Sequence, residues 1–227
     1  MNAKQSFWRG VRAELPILLG VTPFGLIYGA LAIQAGLGKL AAQAMSSILF
    51  AGSAQFIAVQ LVSVGASSAL ILAVIFVVNL RHALYSASLA PYMRSLSLPW
   101  KMLLAYLLTD EAYAVTITHY QQEDEQTYHH WYFFGAGITL WTDWQISTAL
   151  GIFIGASLPA NFPLGFALPL TFIALLVPGL RTRPSIAAAL VGGIAGVVFF
   201  NLPYKLGLMI AALLGILTGF WMEGKQN

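Results

Sequence analysis

Polar residues able to bind or titrate recur deep inside apolar stretches of this chain: Gly52-Ser53-Ala54-Gln55, Asn79, Arg81 beside His82, Asp110 beside Glu111, and Asp143. If those stretches are helices in lipid, each ionised group near the centre costs about 2.5–3.5 kcal/mol. Such residues therefore face a cavity and mark a substrate or ion path. Their charges do not cancel, because one arginine, Arg81, stands against three carboxylates, Asp110, Glu111 and Asp143. Full ionisation leaves two negative charges that His82, a bound ammonium group or protons must balance. The bland alternative is that these groups only glue helices together, with Arg81 paired to one carboxylate.

Helical spacing divides the roles. Asp110 shares a face with Tyr106 and Tyr113, whereas Glu111 has Leu107, Leu108, Ala114 and Val115 three and four residues away. Glu111 is the more poorly solvated carboxyl, which makes it the better proton carrier and Asp110 the better fixed anion, an order that a salt bridge to Arg81 would reverse. Thr139, Asp143 and Ser147 recur every four residues as a polar stripe fit to line a pathway; the hydroxyls can equally bond to their own helix. Pro23 with Gly25, and Ala51-Gly52-Ser53, weaken two helices at the same depth and predict discontinuous helices or kinks. A half-helix N-terminus at such a break would present N–H groups and partial positive charge to a carboxylate.

The elements that hold these residues must sit in lipid. Of the 227 residues 59% are hydrophobic and 8% charged, against roughly 25% charged in a soluble domain, and mean hydropathy is +0.77. The expected fold is an all-α polytopic membrane protein of seven to eight transmembrane helices, forming one transporter domain over 1–227. Spans are expected near 15–33, 40–64, 68–90, 99–119, 131–155, 163–180, 184–200 and 204–222. The run behind Lys4, Arg9 and Arg12 is too long for a leader's apolar core and contains Pro16 and Pro23, so it reads as a retained first span. With eight spans, Lys4, Arg9, Arg12, Arg181, Arg183 and Lys225 lie inside, against Lys39, Arg94, Lys101 and Lys205 outside. If the second or third segment is re-entrant the ratio is again six to four, so charge counting leaves the number open while the dense N-terminal cluster predicts a cytoplasmic N-terminus.

The scattered basic residues lack the clustering that nucleic acid requires. Zero cysteines exclude disulfides and thiolate metal sites, and no metal or cofactor is expected. Residues 121–127 read as a solvated connector. Gly192, Gly193 and Gly196 give the seventh span a face suited to close helix contact, including contact with a partner's helix.

The chain resembles the AzlC family of branched-chain amino acid exporters. The resemblance rests on Pro23-Phe24-Gly25 leading to Tyr28-Gly29, Phe50-Ala51-Gly52-Ser53-Ala54-Gln55-Phe56, Asn79-Leu80-Arg81-His82, Ala90-Pro91 and Leu108-Thr109-Asp110-Glu111. It implies export of valine, leucine or isoleucine, with methionine as a further substrate, across the bacterial inner membrane. It also implies a small membrane partner, AzlD. Without a Gly-x-x-x-x-Gly-Lys pattern for ATP, the proton gradient is the expected energy source and antiport the expected mode. Phe24, Gly25, Gly52, Ser53, Gln55, Asn79, Asp110 and Asp143 are the expected substrate-binding residues, and Glu111, Arg81 and His82 the proton-coupling set. The rival reading from another class is an intramembrane serine protease with Ser53 as nucleophile and His82 as base; a passive channel is the third.

Overall fold

The computed structural model describes residues 2–122, 128–157, 180, 182–202 and 206–223, and every element among them is a helix. They fall in two compact units, Met1–Ala167 and Leu168–Asn227. The first holds α1 (Ala3–Gln34), α2 (Lys39–Ile48), α3 (Gly52–Ser63), α4 (Ser68–Asn79), α5 (Arg81–Met93), α6 (Leu98–Tyr106), α7 (Asp110–Gln122) and α8 (His129–Ser157). The second holds α9 (Arg183–Val198) and α10 (Leu206–Glu223).

Small residues build the seam between α1 and α8. Gly10 lies against the Tyr132 carbonyl, Gly25 against Ser147, Gly29 against Thr148 and Ile152, and Gly155 against Ala30. Residue numbers rise together along both helices, so α1 and α8 run parallel. A Cβ on Gly29 would lie 2.7 Å from the Ile152 nitrogen, and one on Gly155 would lie 2.6 Å from the Ala30 Cα. No side chain fits there, and the Gly25/Gly29 and Gly151/Gly155 spacings are those by which lipid-embedded helices approach closely. This seam also corrects the expected break at Pro23: α1 runs unbroken through Pro16 and Pro23. Both prolines lie on its exposed side, opposite the glycines that hold it to α8.

The segments expected as spans over 40–64, 68–90 and 99–119 are each divided, the first at the expected weak point Ala51-Gly52-Ser53. The first and last also reverse direction. In α2, Lys39 lies over the Phe153 ring, Ser46 meets Thr148 at 3.1 Å and Ser47 reaches Gln145 at 2.9 Å, so α2 is antiparallel to α8. Past the turn, Gly52 lies against Trp144. Phe56 then packs on Phe24 and Tyr28, which the seam places level with Ser147 and Ile152, so α3 turns back beside its entrance. Gly36 and Gly65, with φ of 87° and 69°, make the bends before α2 and after α3.

The second reversal is as plain. Arg81 pairs with Asp110, Tyr85 stacks on Tyr113 at 4.6 Å, and Tyr92 packs on Tyr120 at 5.0 Å, so α5 and α7 run parallel with only α6 between them. Along α6, Trp100 lies against Trp131 and Phe134 while Leu107 touches Gly137, so α6 runs with α8. In α7, Tyr120 stacks on His129 and His119 on Tyr132, so α7 returns to the end of α8 from which α6 set out. With 10, 12, 9 and 13 residues, each of these helices rises about 14–20 Å, short of the ~30 Å of a hydrocarbon core. Segments 39–63 and 98–122 are thus two helical hairpins entering from opposite ends, whereas α4 and α5 are separated by Leu80 alone and continue as one kinked helix.

Among the described residues, α1 and Ser68–Met93 are long and apolar enough to cross a membrane. The expected span 163–180 lies outside the described residues apart from its last residue. In the second unit α9 and α10 pack antiparallel: Gly192 faces Ala211 and Gly215, Gly196 faces Ala211, and Gly219 faces Ala188. The glycine face expected to receive a partner's helix is occupied by α10, and only Gly193 looks into open space.

Candidate functional site

The hairpin tips meet. The Tyr106 hydroxyl at the end of α6 donates to the Ser47 carbonyl near the end of α2 (2.5 Å) and accepts from Trp141 Nε1 (2.7 Å). Phe50, in the first tip, packs on the Tyr106 ring at 6.2 Å. The break after Tyr106 therefore removes it from the face of Asp110 that an unbroken helix would give. Leu107, Leu108 and Thr109 form the buried second tip, and the Thr109 hydroxyl accepts from the Ala112 N–H to cap α7.

Three helix beginnings converge on Arg81, the first residue of α5. Its Nη1 pairs with Asp110, the first residue of α7, and its Nη2 donates to the Ser53 hydroxyl in the first turn of α3 at 2.6 Å. One planar fork thus ties both hairpins to the kinked helix. Asp110 suits a helix N-terminus, whereas Arg81 does not, and the ion pair offsets that mismatch. No side chain caps α3 among the described residues, so its partial positive end also faces this junction.

Unsatisfied polar atoms surround the tie. Among the described residues, Arg81 Nε, Asn79 Oδ1 and His82 Nε2 lack hydrogen-bond partners, while the buried Gln55 lies within hydrogen-bonding reach of the Tyr28 hydroxyl and Asp110 within that of Tyr85. Buried groups of this kind are normally paired, so a concentration of them around one ion pair suits a polar ligand. Glu111, half-buried beside Asp110, is within electrostatic reach of both Asp110 and Arg81.

The other expected residues lie nearby but apart. Phe24 packs edge-on against Phe56 at 6.1 Å, and Tyr28 stacks on Trp144. Gly52 lets the Trp144 ring approach the start of α3, and Gly25 sits in the α1–α8 seam. Asp143 accepts from the Thr22 hydroxyl at 2.8 Å and has its other oxygen without a partner; no described hydrogen bond joins it to Arg81. Its stripe-mates Thr139 and Ser147 bond to the Gly135 and Trp144 carbonyls of their own helix. Ser53 is held by Arg81, and no described hydrogen bond links it to His82, so the arrangement lacks a nucleophile–base pair.

Sequence reasoning missed Glu14. It is fully buried in α1, but its place beside a basic cluster made it look like the polar flank of a span. The available signal was that it is the only acidic residue in the first 109. A second feature not foreseen is a cavity of about 340 Å³ between α5 and α6, with Arg94 and Lys101 among its lining and Leu108 of the second tip at its wall.

The family described as AzlC protein matches residues 16–158, which include both hairpins and the Arg81 junction. An inner membrane protein of Escherichia coli (strain K12), YgaZ, is 28% identical over 95% of this chain and 92% of its own length. A membrane protein of Archaeoglobus fulgidus is 30% identical over 97% of both chains. The branched-chain amino acid transport protein AzlC of Bacillus subtilis (strain 168) is 24% identical over 96% of this chain and 88% of its own length. No solved structure matches the chain. With an apolar helical body, opposed hairpins and a match over more than half its length, the chain belongs to the AzlC family of membrane proteins.

Proposed function

We propose that this protein is a secondary transporter that exports branched-chain amino acids across the bacterial inner membrane by proton antiport, as the large subunit of a two-component system with a small membrane partner. The observation that carries the reading is the Arg81 junction, where Ser53, Asp110 and the uncapped N-terminus of α3 meet among polar atoms without described partners. Discontinuous helices meeting near the midplane are how inverted-topology transporters build substrate sites. The zwitterion supplies both complements: its ammonium group answers the excess of carboxylates at Asp110 and Asp143, and its carboxylate answers Arg81 and the N-terminus of α3. The Phe24 and Phe56 region supplies apolar surface for the aliphatic side chain. The similarity to the Bacillus branched-chain amino acid transport protein supports the substrate class.

The hairpins support an orientation. Folding back 39–63 and 98–122 puts Lys4, Arg9, Arg12, Arg94 and Lys101 at one face of the first unit and leaves Lys39 at the other. Five cations against one favour that first face, and with it the N-terminus, as cytoplasmic. Arg94 and Lys101 then line the cavity that leads from the cytoplasm toward the second tip.

Uptake of labelled valine into inverted vesicles, with the partner subunit co-expressed, tests the function. Uptake is expected to accelerate when the lumen is made acidic and to lose that acceleration when a protonophore collapses the gradient. Saturable uptake indifferent to the gradient would contradict antiport, and no valine uptake would contradict the substrate class.

A further inference from the structure

Glu14 has no part in the junction just described. Its exposure is 0%, and among the described residues neither carboxylate oxygen has a hydrogen-bond partner. A carboxylate without a partner is costly in such surroundings, and purely structural packing needs no carboxyl there. Ser6, Gly10 and Glu14 form the buried stripe of the first half of α1, with the Ser6 hydroxyl bonded to the Tyr128 carbonyl and Gly10 against Tyr132. This places Glu14 deeper along the same seam.

A cavity of about 600 Å³ opens between Arg9, Arg12 and Ala13 of α1 and Ala114, Thr118 and His119 of α7; it reaches Ala13, the chain neighbour of Glu14, but Glu14 itself does not line it. Glu111 precedes Ala114 by three residues and Val115, also in the lining, by four, so it continues that wall of α7 one turn deeper. The carboxyls of Glu14 and Glu111 are within electrostatic reach of each other, and Glu111 in turn adjoins the Arg81–Asp110 pair. Glu14 thus follows the cavity-lining stretch of α1, Glu111 continues that of α7, and Glu111 adjoins the junction. The titratable and charged groups around the path are Arg9 and Arg12 of α1, His119 and Glu111 of α7, and Tyr132 of α8.

We propose that Glu14 is the second carboxyl of a proton relay, carrying protons between Glu111 and the cytoplasmic cavity. The proposal rests on the antiport reading. A proton leaves the Glu111 carboxylic acid for the Glu14 carboxylate, regenerating the Glu111 anion. Glu14 then passes it, past its neighbour Ala13 in the lining, to water in the cavity, which is wide enough to hold water, and returns to its own anionic form.

The test uses the full chain with its partner subunit in liposomes, reading valine exchange and valine-dependent proton movement in the same preparation. Glu14→Gln keeps the shape and removes the proton site. It is expected to retain exchange within a few-fold of wild type and to lose proton movement by at least about tenfold. Glu14→Asp, which restores a carboxyl, should recover much of the coupling. Wild-type proton movement in Glu14→Gln would overturn the relay while leaving antiport intact. Equal loss of exchange and coupling in a well-folded Glu14→Gln would also overturn it, by assigning Glu14 a structural role. Exchange without proton movement in the wild type would overturn the antiport reading together with the relay.

Discussion

Arg81→Ala is expected to abolish valine transport and to destabilise the protein, the largest combined effect of any single substitution in the first unit. The guanidinium holds Ser53 and Asp110 at once, so its loss releases both hairpins from the kinked helix and leaves Asp110 without a counter-charge. Removing one partner of a fully buried pair costs about 3–5 kcal/mol. Here the two side chains are 31% and 39% exposed, which lowers the expectation to about 1–3 kcal/mol, read as thermal unfolding in detergent. Arg81→Lys keeps the charge but not the planar fork, and should recover stability far better than flux. Combining Arg81→Ala with Asp110→Asn removes the stranded anion, so stability should return while transport does not. Normal valine flux in Arg81→Ala would remove the junction from the substrate path.

Glu111→Gln should separate driven export from exchange. It preserves shape beside Asp110 and removes a titrating group at the inner end of the path that leads to Glu14. Export against a gradient is expected to fall by about a hundredfold or more, while exchange of internal for external valine continues. The residual activity should also lose its dependence on an imposed pH difference. If Glu111→Gln exports at the normal rate with unchanged pH dependence, the coupling group is another carboxyl, with Asp143 next in line because one of its oxygens has no partner.

The residues of the junction were legible in the sequence because each is polar in an apolar run, and the weak point at Ala51-Gly52-Ser53 became the start of α3. The reversals were not legible. Hydropathy registers how apolar a segment is and carries no direction, so 40–64 scores alike as one span or as two half-length helices. The second tip, Leu107-Leu108-Thr109, has no proline or glycine to mark it. Pro23 misled in the other sense, because propensity acts on an isolated helix while α1 is held along its length by the glycine seam with α8. Asp143 looked like part of one convergent cluster, but depth along a helix does not say which way a side chain points, and Thr22 holds it.

The opposed hairpins are the basis of both the junction and the orientation, and cysteine labelling tests them most directly, because the chain has no cysteine of its own. Leu40 and Val64, at the two ends of the first hairpin, are 84% and 76% exposed; Ser95 and Gln122, also exposed, flank the second. With single cysteines at these four positions and a membrane-impermeant maleimide, Leu40→Cys and Val64→Cys should both label in right-side-out vesicles. Ser95→Cys and Gln122→Cys should both label in inverted ones. Labelling of Leu40→Cys and Val64→Cys from opposite faces would make 39–63 a through-span and contradict the account.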